Sequence, residues 1–287
     1  MESELYRKVY QLVIEIANGR TIKRATFFDA DIVLTYLWAV LHDRPIYWAC
    51  QKKNWPIYYR RRPLPVASTM TRRLRKQGVQ NLLKEAEQSL IKRFPPSLCR
   101  WIDAKPLPIG RHSKDKQSGF GPAAGLMAAG YKIHTIADSS QGFAIWTVRP
   151  MQHSEATVAQ DLIMSSTEQG YLIGDGAYDK NHLYELTGNK SIQLLTPQRI
   201  RESKGLGHRR HSIYRIRAMQ LKDTYFGQGL LDSRDQIERM YGQLTNLGCG
   251  LSPLPSWVRT LFRVEMWVRA KLIFYQIWRT ELAPSAA

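Results

Sequence analysis

Two aspartates close apolar runs in this chain: Asp103 ends 101-WID-103 and Asp175 ends 171-YLIGD-175. An ionised carboxylate at the end of a buried strand is costly unless it is solvated, paired or bound to a metal. Two of them on adjacent strands, roughly 4.8 Å apart, repel and raise each other's pKa. A divalent cation removes that penalty, and hard Mg2+ prefers such oxygens. A third carboxylate is then expected from an element packed at the same edge. The segment 233-SRDQIERMYGQLTNL-247 has helical periodicity, with Ile237, Met240, Tyr241, Leu244 and Leu247 forming its apolar face. Glu238 lies beside that face, with Arg234 one turn before it, whereas Asp235 points nearly opposite and suits a helix first turn. The candidate metal ligands are therefore Asp103, Asp175 and Glu238.

These residues need a sheet to hold them. From Leu98 the pattern alternates as in strands, at Leu98–Ala104, Lys132–Asp138 and Phe143–Val148, with 138-DSSQG-142 as a hairpin turn. A helix is expected over His153–Ser165, a strand over Tyr171–Gly174, a helix over Lys180–Leu186 and a fifth strand over Ile192–Leu195. Together they predict a mixed α/β sheet with an antiparallel front part. A basic segment, 196–217, leads to the helix at 233–247, and a last helix covers about 256–281. The small residues Gly174, Gly176 and Ala177 leave room beside Asp175 for metal and phosphate. Asp179 is expected to be a helix N-cap, Asp138 a turn residue, and His134 a hydrogen-bonded sheet histidine sharing a face with Lys132. Tyr214, Tyr225 and Phe226 suit either stacking on an unpaired base or packing. The seven histidines have no zinc spacing.

The charge points to a partner. The 287 residues hold 42 Lys/Arg and 24 Asp/Glu, a net charge of +18. Residues 1–100 carry 19 basic and 8 acidic side chains, residues 101–195 carry 8 and 9, and residues 196–287 carry 15 and 7. An acid-bearing centre between basic flanks suits chemistry on a polyanion, nucleic acid first. The first hundred residues have helical patterns at about 4–17, 29–42, 45–53, 67–77 and 79–93. In 66-VASTMTRRLRK-76 an apolar back (Ala67, Met70, Leu74) opposes a front of Thr69, Arg72, Arg73 and Lys76. That front fits the recognition helix of a helix-turn-helix. The three cysteines are scattered and suggest neither disulfides nor zinc, which makes a reducing cytoplasm the default. The most apolar windows fall short of a membrane span.

Four strings in order, 102-IDAKPLPI-109, 130-GYKIHTIADSSQGF-143, 174-GDGAYD-179 and 234-RDQIER-239, place Asp103, Asp175 and Glu238 at spacings of 72 and 63 residues. In this the chain resembles bacterial insertion-sequence transposases of the DDE class. The resemblance implies a ribonuclease H-like catalytic domain, a five-stranded mixed sheet with flanking helices, preceded by an all-α helix-turn-helix-like region. The corresponding division is 1–96 for DNA binding and 97–287 for catalysis, with a basic insertion at about 196–232. It also implies two Mg2+ ions, with Mn2+ able to substitute, on Asp103, Asp175 and Glu238. The family's helix often carries Tyr, Arg, Glu and Lys at fixed intervals; here Arg234 and Glu238 match, but Leu231 and Thr245 stand at the Tyr and Lys positions. Basic residues of the insertion, Arg199, Arg201, Arg209 and Arg210, are expected to anchor phosphate with Arg234.

The implied activity is binding of terminal inverted repeats, followed by metal-dependent DNA cleavage and strand transfer. The expected partners are double-stranded DNA, as transposon ends and target, and a second copy of the chain, with no membrane, in the nucleoid-associated cytoplasm. A ribonuclease H-like nuclease without strand transfer, or a non-catalytic DNA-binding derivative, would keep parts of the same pattern.

Overall fold

The computed structural model describes residues 2–18, 26–60, 62–110, 114–123, 125–197, 212–248, 250–251 and 253–283. By its contacts the chain divides into two compact units, one of Met1–Arg93 with Leu244–Ala287 and the other of Phe94–Gln243.

The first unit is helical. Its elements are α1 (Glu2–Ala17), α2 (Asp29–Leu41), the short α3 (Ile46–Ala49), α4 (Ala67–Arg73) and α5 (Gln77–Ile91), and the chain returns to it with α11 (Leu261–Ile277). In α1 and α5 the apolar positions repeat every three or four residues, so each buries one stripe: Leu5, Val9, Leu12 and Val13 in α1, and Val79, Leu82, Leu83, Ala86 and Leu90 in α5. Helix α2 is apolar nearly all round and buried accordingly, and α11, although it carries Arg263, Glu265, Arg269 and Lys271, is buried over most of its length. Residues 244–287, grouped by sequence order with the catalytic part, thus belong by contact to the N-terminal helices. The reason is that α11 packs on α5, α1 and α2, which bury its apolar surface. One ionic contact lies deep in this unit: Lys271 on α11 is fully buried, with Nζ 2.9 Å from Asp43 Oδ1 and 5.3 Å from the Trp267 ring. Asp43 Oδ1 also accepts from Trp267 Nε1 at 3.3 Å.

The second unit is built on a mixed sheet, with six strands among the described residues: β1 (Cys99–Pro108), β2 (Gly119–Ala123), β3 (Leu126–Asp138), β4 (Gly142–Pro150), β5 (Gly170–Gly174) and β6 (Ile192–Leu195). β1, β3 and β4 are antiparallel neighbours, and β5 and β6 continue parallel to β1 on its other side. This is the antiparallel front and parallel rear expected of a ribonuclease H-like domain. The strand beyond the expected five is β2, a hairpin partner for the start of β3. Its sequence, GFGPA, lacks the β-branched alternation that marks a strand.

Helices α6 (Glu155–Ser165) and α7 (Asn181–Asn189) cover one sheet face, where Ile102, Ile136, Leu172 and Leu194 meet Ala159, Leu162 and Leu183 in the core. Among its described residues the connection from β6 to α10 (Asp235–Asn246) holds two more helices, α8 (Ile213–Lys222) and α9 (Tyr225–Asp232). In sequence this stretch reads only as a basic segment and insertion, without helices of its own. Among the described residues no helix is long and apolar enough to cross a membrane.

Removing Asp43 takes a carboxylate from beside a fully buried ammonium, which is costlier than removing the pair. Asp43→Ala is expected to lose about 3–5 kcal/mol of unfolding free energy, and Lys271→Met distinctly less. Urea denaturation of the two variants checks this; equal losses would show that the contact is not electrostatic.

Candidate active site

The parallel pairing of β1 with β5 runs Cys99↔Tyr171, Arg100↔Leu172, Trp101↔Ile173 and Ile102↔Gly174. The next residue on each strand is therefore a carboxylate, Asp103 beside Asp175. Side chains alternate along a strand, so with Ile102 and Leu172 in the α6/α7 core both aspartates belong to the opposite face. On that face the antiparallel partner of Asp103 is Thr135 of β3.

Helix α10 is fastened to the same face at two points. Trp101 Nε1 donates to Ser233 Oγ at 2.9 Å, just before the helix begins. Further along, the Tyr241 hydroxyl lies 2.8 Å from Thr135 Oγ1, with the Tyr241 ring 5.1 Å from Phe143 and the Lys105 ammonium 5.5 Å over it. Ile237, Met240, Tyr241, Leu244 and Leu247 are all buried, as the helical wheel of the sequence requires. Glu238 lies between the two fastenings.

The electrostatics follow from this packing. Burial pushes the Asp103 carboxyl up to about 6, with Asp175, Glu155 and Glu238 adding negative field and a hydrogen bond from the Ala104 backbone opposing them. Asp175 Oδ1 accepts from Ala177 N–H at 2.7 Å and caps the turn Gly176–Tyr178. Tyr178 is buried with its hydroxyl unpaired, and burial, together with Glu155, Asp103, Tyr241 and Asp175, holds that hydroxyl far above its usual range. Glu238 is more exposed: its side chain is 64% accessible and its Oε1 lies 3.8 Å from Arg234 Nη2. With two carboxylates already adjacent, a third is better placed beside a guanidinium.

Among the described residues no three His, Cys, Asp or Glu side chains stand close enough together to hold a metal ion. The donor chemistry still suits a hard divalent cation. Asp103 and Asp175 supply oxygens only, and a cation there would relieve the field that raises Asp103.

The structure revises several sequence expectations. Gly174 does not serve access: a Cβ there would lie 2.9 Å from both Ile102 Cγ2 and Tyr178 Cδ2, so the glycine is required by packing. Asp179 is not the N-cap of α7, a position held by Lys180; it is buried and paired with Arg215 at 2.8 Å. His134 is buried with neither ring nitrogen hydrogen-bonded, and burial, with Lys132, Arg149 and His153, lowers its pKa to about 3. It is therefore neutral. Glu155, first residue of α6, escaped sequence reasoning: it pairs with Lys132 at 2.8 Å and contributes to the field on Asp103. Its signal, an acid in a helix first turn, is too common to single it out.

Tyr214 packs against the sheet-side core beside Gly188, whereas Tyr225 is 95% exposed and Phe226 lies 5.4 Å from the Tyr171 ring. Arg199, Arg201, Arg209 and Arg210 lie outside the described residues. In the helical unit Arg72 and Lys76 are exposed and Thr69 is half-buried. Arg73 turns inward, Nη2 bonding Asp29 Oδ1 at 2.7 Å and Nη1 the Phe27 carbonyl at 3.0 Å. It therefore does not belong to the exposed front.

The raised Asp103 carboxyl links stability to pH. The native group keeps its proton up to about 6, whereas in the unfolded chain it is lost near 3.8. Between those values the unfolded state binds fewer protons, so stability falls as pH rises across the window. In metal-free buffer Asp103→Asn is expected to be more stable than the parent at about pH 7.5, by roughly 2 kcal/mol, the gain vanishing by about pH 4. Denaturant titrations at both pH values measure it, and a gain independent of pH would contradict the assigned environment.

Comparison with known proteins agrees with this architecture. No curated protein matches the chain. Residues 95–275, well over half of the chain, match the family described as Transposase DDE domain, and the chain belongs to that family.

Proposed function

We propose that this transposase binds the terminal inverted repeats of an insertion sequence and performs divalent-metal-dependent strand cleavage and strand transfer. In this reading residues 1–96 bind DNA and, within 97–287, the sheet-bearing part up to Gln243 carries the chemistry. The observation that supports it best is the in-register placement of Asp103 beside Asp175 on the sheet face to which α10 is fastened.

Asp103, Asp175 and Glu238 would hold the metal, Mg2+ by their hard oxygen donors, with Mn2+ as a substitute. The chemistry that two such ions would supply there is activation of a water or 3′-hydroxyl and stabilisation of the leaving oxygen of the phosphodiester. The protein's own residues do the rest. Asp103 is held by its strand, and Asp175 by its strand and by the Ala177 N–H, so both carboxylates are oriented before substrate arrives. Arg234, beside Glu238, orients that carboxylate or a non-bridging phosphate oxygen. Trp101 and Thr135 fix the helix that carries both. The excess of cations over acids draws the DNA backbone to the protein and makes binding sensitive to salt. Double-stranded ends and target are the DNA partners, a second copy would pair the two ends, and the protein would work at the nucleoid. Arg199, Arg201, Arg209 and Arg210 belong to the proposal as phosphate anchors by sequence alone.

The test uses the full chain, Mg2+ and duplexes carrying the DNA that flanks its gene. Asp103→Asn, Asp175→Asn and Glu238→Gln should each reduce nicking and joining by roughly 1,000-fold or more while end binding persists. Wild-type cleavage by Glu238→Gln would remove Glu238 from the site. Hydrolysis without joined products, given paired ends, would favour a nuclease over a transposase.

A further inference from the structure

We infer that the base-reading surface of the helical unit is the solvent face of α5, with the end of α4 and the turn after it serving as its phosphate clamp. The inference rests on the DNA-binding role just proposed and moves the reading helix from α4 to the one that follows.

Helix α4 has seven residues, and its polar front is largely committed: Arg73 is drawn inward to Asp29 and Phe27, and Thr69 is half-buried. What remains exposed at its end is cationic. Arg72, Arg75 and Lys76 line a shallow groove together with Ser68 and Thr71. Long cations at a helix end and turn are suited to phosphate oxygens, which fix register and carry no sequence information.

Three residues, Leu74–Lys76, separate α4 from α5, the connection length of a helix-turn-helix, whose second helix enters the major groove. Helix α5 has 15 residues and so extends about 22 Å, long enough to lie along a groove. Gln77, Asn81, Lys84 and Gln88 recur at i, i+4, i+7 and i+11, all exposed and on one face, opposite the buried Val79, Leu82, Leu83, Ala86 and Leu90. Side-chain amides pair in two-point fashion with adenine in the major groove, and lysine with guanine. The Gln77 amide donates to Asn81 Oδ1 at 2.7 Å, so the first two amides of the stripe are already oriented together.

The acids of α5 lie elsewhere. Glu87 is buried against Arg269 at 2.9 Å, and Glu85 sits half-buried on the flank of the stripe. The polar face and the adjoining groove therefore offer a duplex cations and amides.

The two helices are also held as one piece. Asp29 of α2 grips Arg73 of α4, and its other oxygen would lie 2.3 Å from a Cβ on Gly78, in the first turn of α5. One carboxylate thus seats both the clamp and the reading helix, and only glycine permits that approach. A rigid pair of this kind presents a fixed register to DNA, which a sequence-reading surface needs.

The test selects binders from a random-sequence duplex library with the full chain, without divalent metal, and then measures binding of the selected duplex and of a scrambled one against salt. Asn81→Ala and Gln88→Ala should each lose preference at one or two adjacent base pairs, cutting discrimination by about 10–100-fold, with scrambled-duplex binding nearly unchanged. Lys84→Ala serves as a third probe of the same stripe. The triple variant Arg72→Ala, Arg75→Ala, Lys76→Ala should weaken binding to every duplex and flatten the log affinity against log salt slope by nearly 3. Thr69→Ala should leave the selected motif intact.

A motif altered by Thr69→Ala or by Arg72→Ala alone, but untouched by Asn81→Ala and Gln88→Ala, would return the reading role to α4 and overturn the inference. So would failure of the parent to select any motif. Because no metal is present, loss of cleavage in the Mg2+ experiment leaves this result standing. Conversely, an unselective chain that still cuts and joins ends would refute the α5 surface without touching the carboxylate assignment.

Discussion

Much of the catalytic unit depends on one short parallel pairing, the β1/β5 register that ends at Ile102↔Gly174. A slip of one residue in either strand would send its aspartate to the opposite face, into the α6/α7 core, and separate the two carboxylates. Only a few backbone bonds hold this pairing, so its register needs other support. Arg100 provides some: buried on β1, it reaches Ser166 Oγ at 2.7 Å and the carbonyls of Glu168 and Gln169, the chain that leads into β5. The Tyr171 N–H to the Leu98 carbonyl, at 2.7 Å, fixes the start of the same pair. At the other end Gly174 is wedged between Ile102 and the Tyr178 ring. These contacts surround the register and make a shifted alternative pay in packing as well as in hydrogen bonds.

Once that register is set, the electrostatic character of the site follows with little freedom. Asp103 is taken largely out of water among other acids, and its raised pKa is the cost of holding it there. The groups in contact with α10 answer that cost without neutralising it. Thr135 and Tyr241 meet through hydroxyls, and Lys105 lies over the Tyr241 ring, a short distance along the strand. Glu155 is held off by Lys132, and Glu238 by Arg234. Among the described residues Glu155 and Glu238 each have a cation beside them and the two aspartates do not, which concentrates the negative potential on Asp103 and Asp175.

The sequence disclosed what depends on local periodicity. The strands that carry Asp103 and lead into Asp175, the buried stripe of α10 and the helical first hundred residues could all be read from spacing, because burial imposes the same period on any chain, although β1 runs on past Asp103 to Pro108 and leaves that aspartate in mid-strand. What it hid depends on distant partners. Arg73 sits correctly on the polar side of α4 by a helical wheel, yet its guanidinium belongs to Asp29, 44 residues earlier. Asp179 looked like a cap because it precedes a helix, but Arg215 claims it from within the basic connection, 36 residues later. The place of α11 among the N-terminal helices follows from extensive burial of its side chains, which the sequence assigns to no particular neighbour. β2 was missed because glycine and proline erase the alternation, and α8 and α9 because charge dominated the reading of their segment.

Gly174 shows how the two kinds of information differ. Beside a carboxylate, a small residue in sequence suggests space, and space suggests a ligand. In the folded chain that space is filled by Ile102 and Tyr178, and the freedom of Asp175 is limited further by the Ala177 N–H that its Oδ1 accepts. Smallness here lets the strand, the turn and the tyrosine close on one another, and that closure aims the aspartate. A site that must meet a large, stiff polyanion gains from such rigidity, since a carboxylate already oriented loses little freedom when the substrate arrives. The glycine therefore serves the chemistry at one remove, through the packing that fixes where Asp175 points.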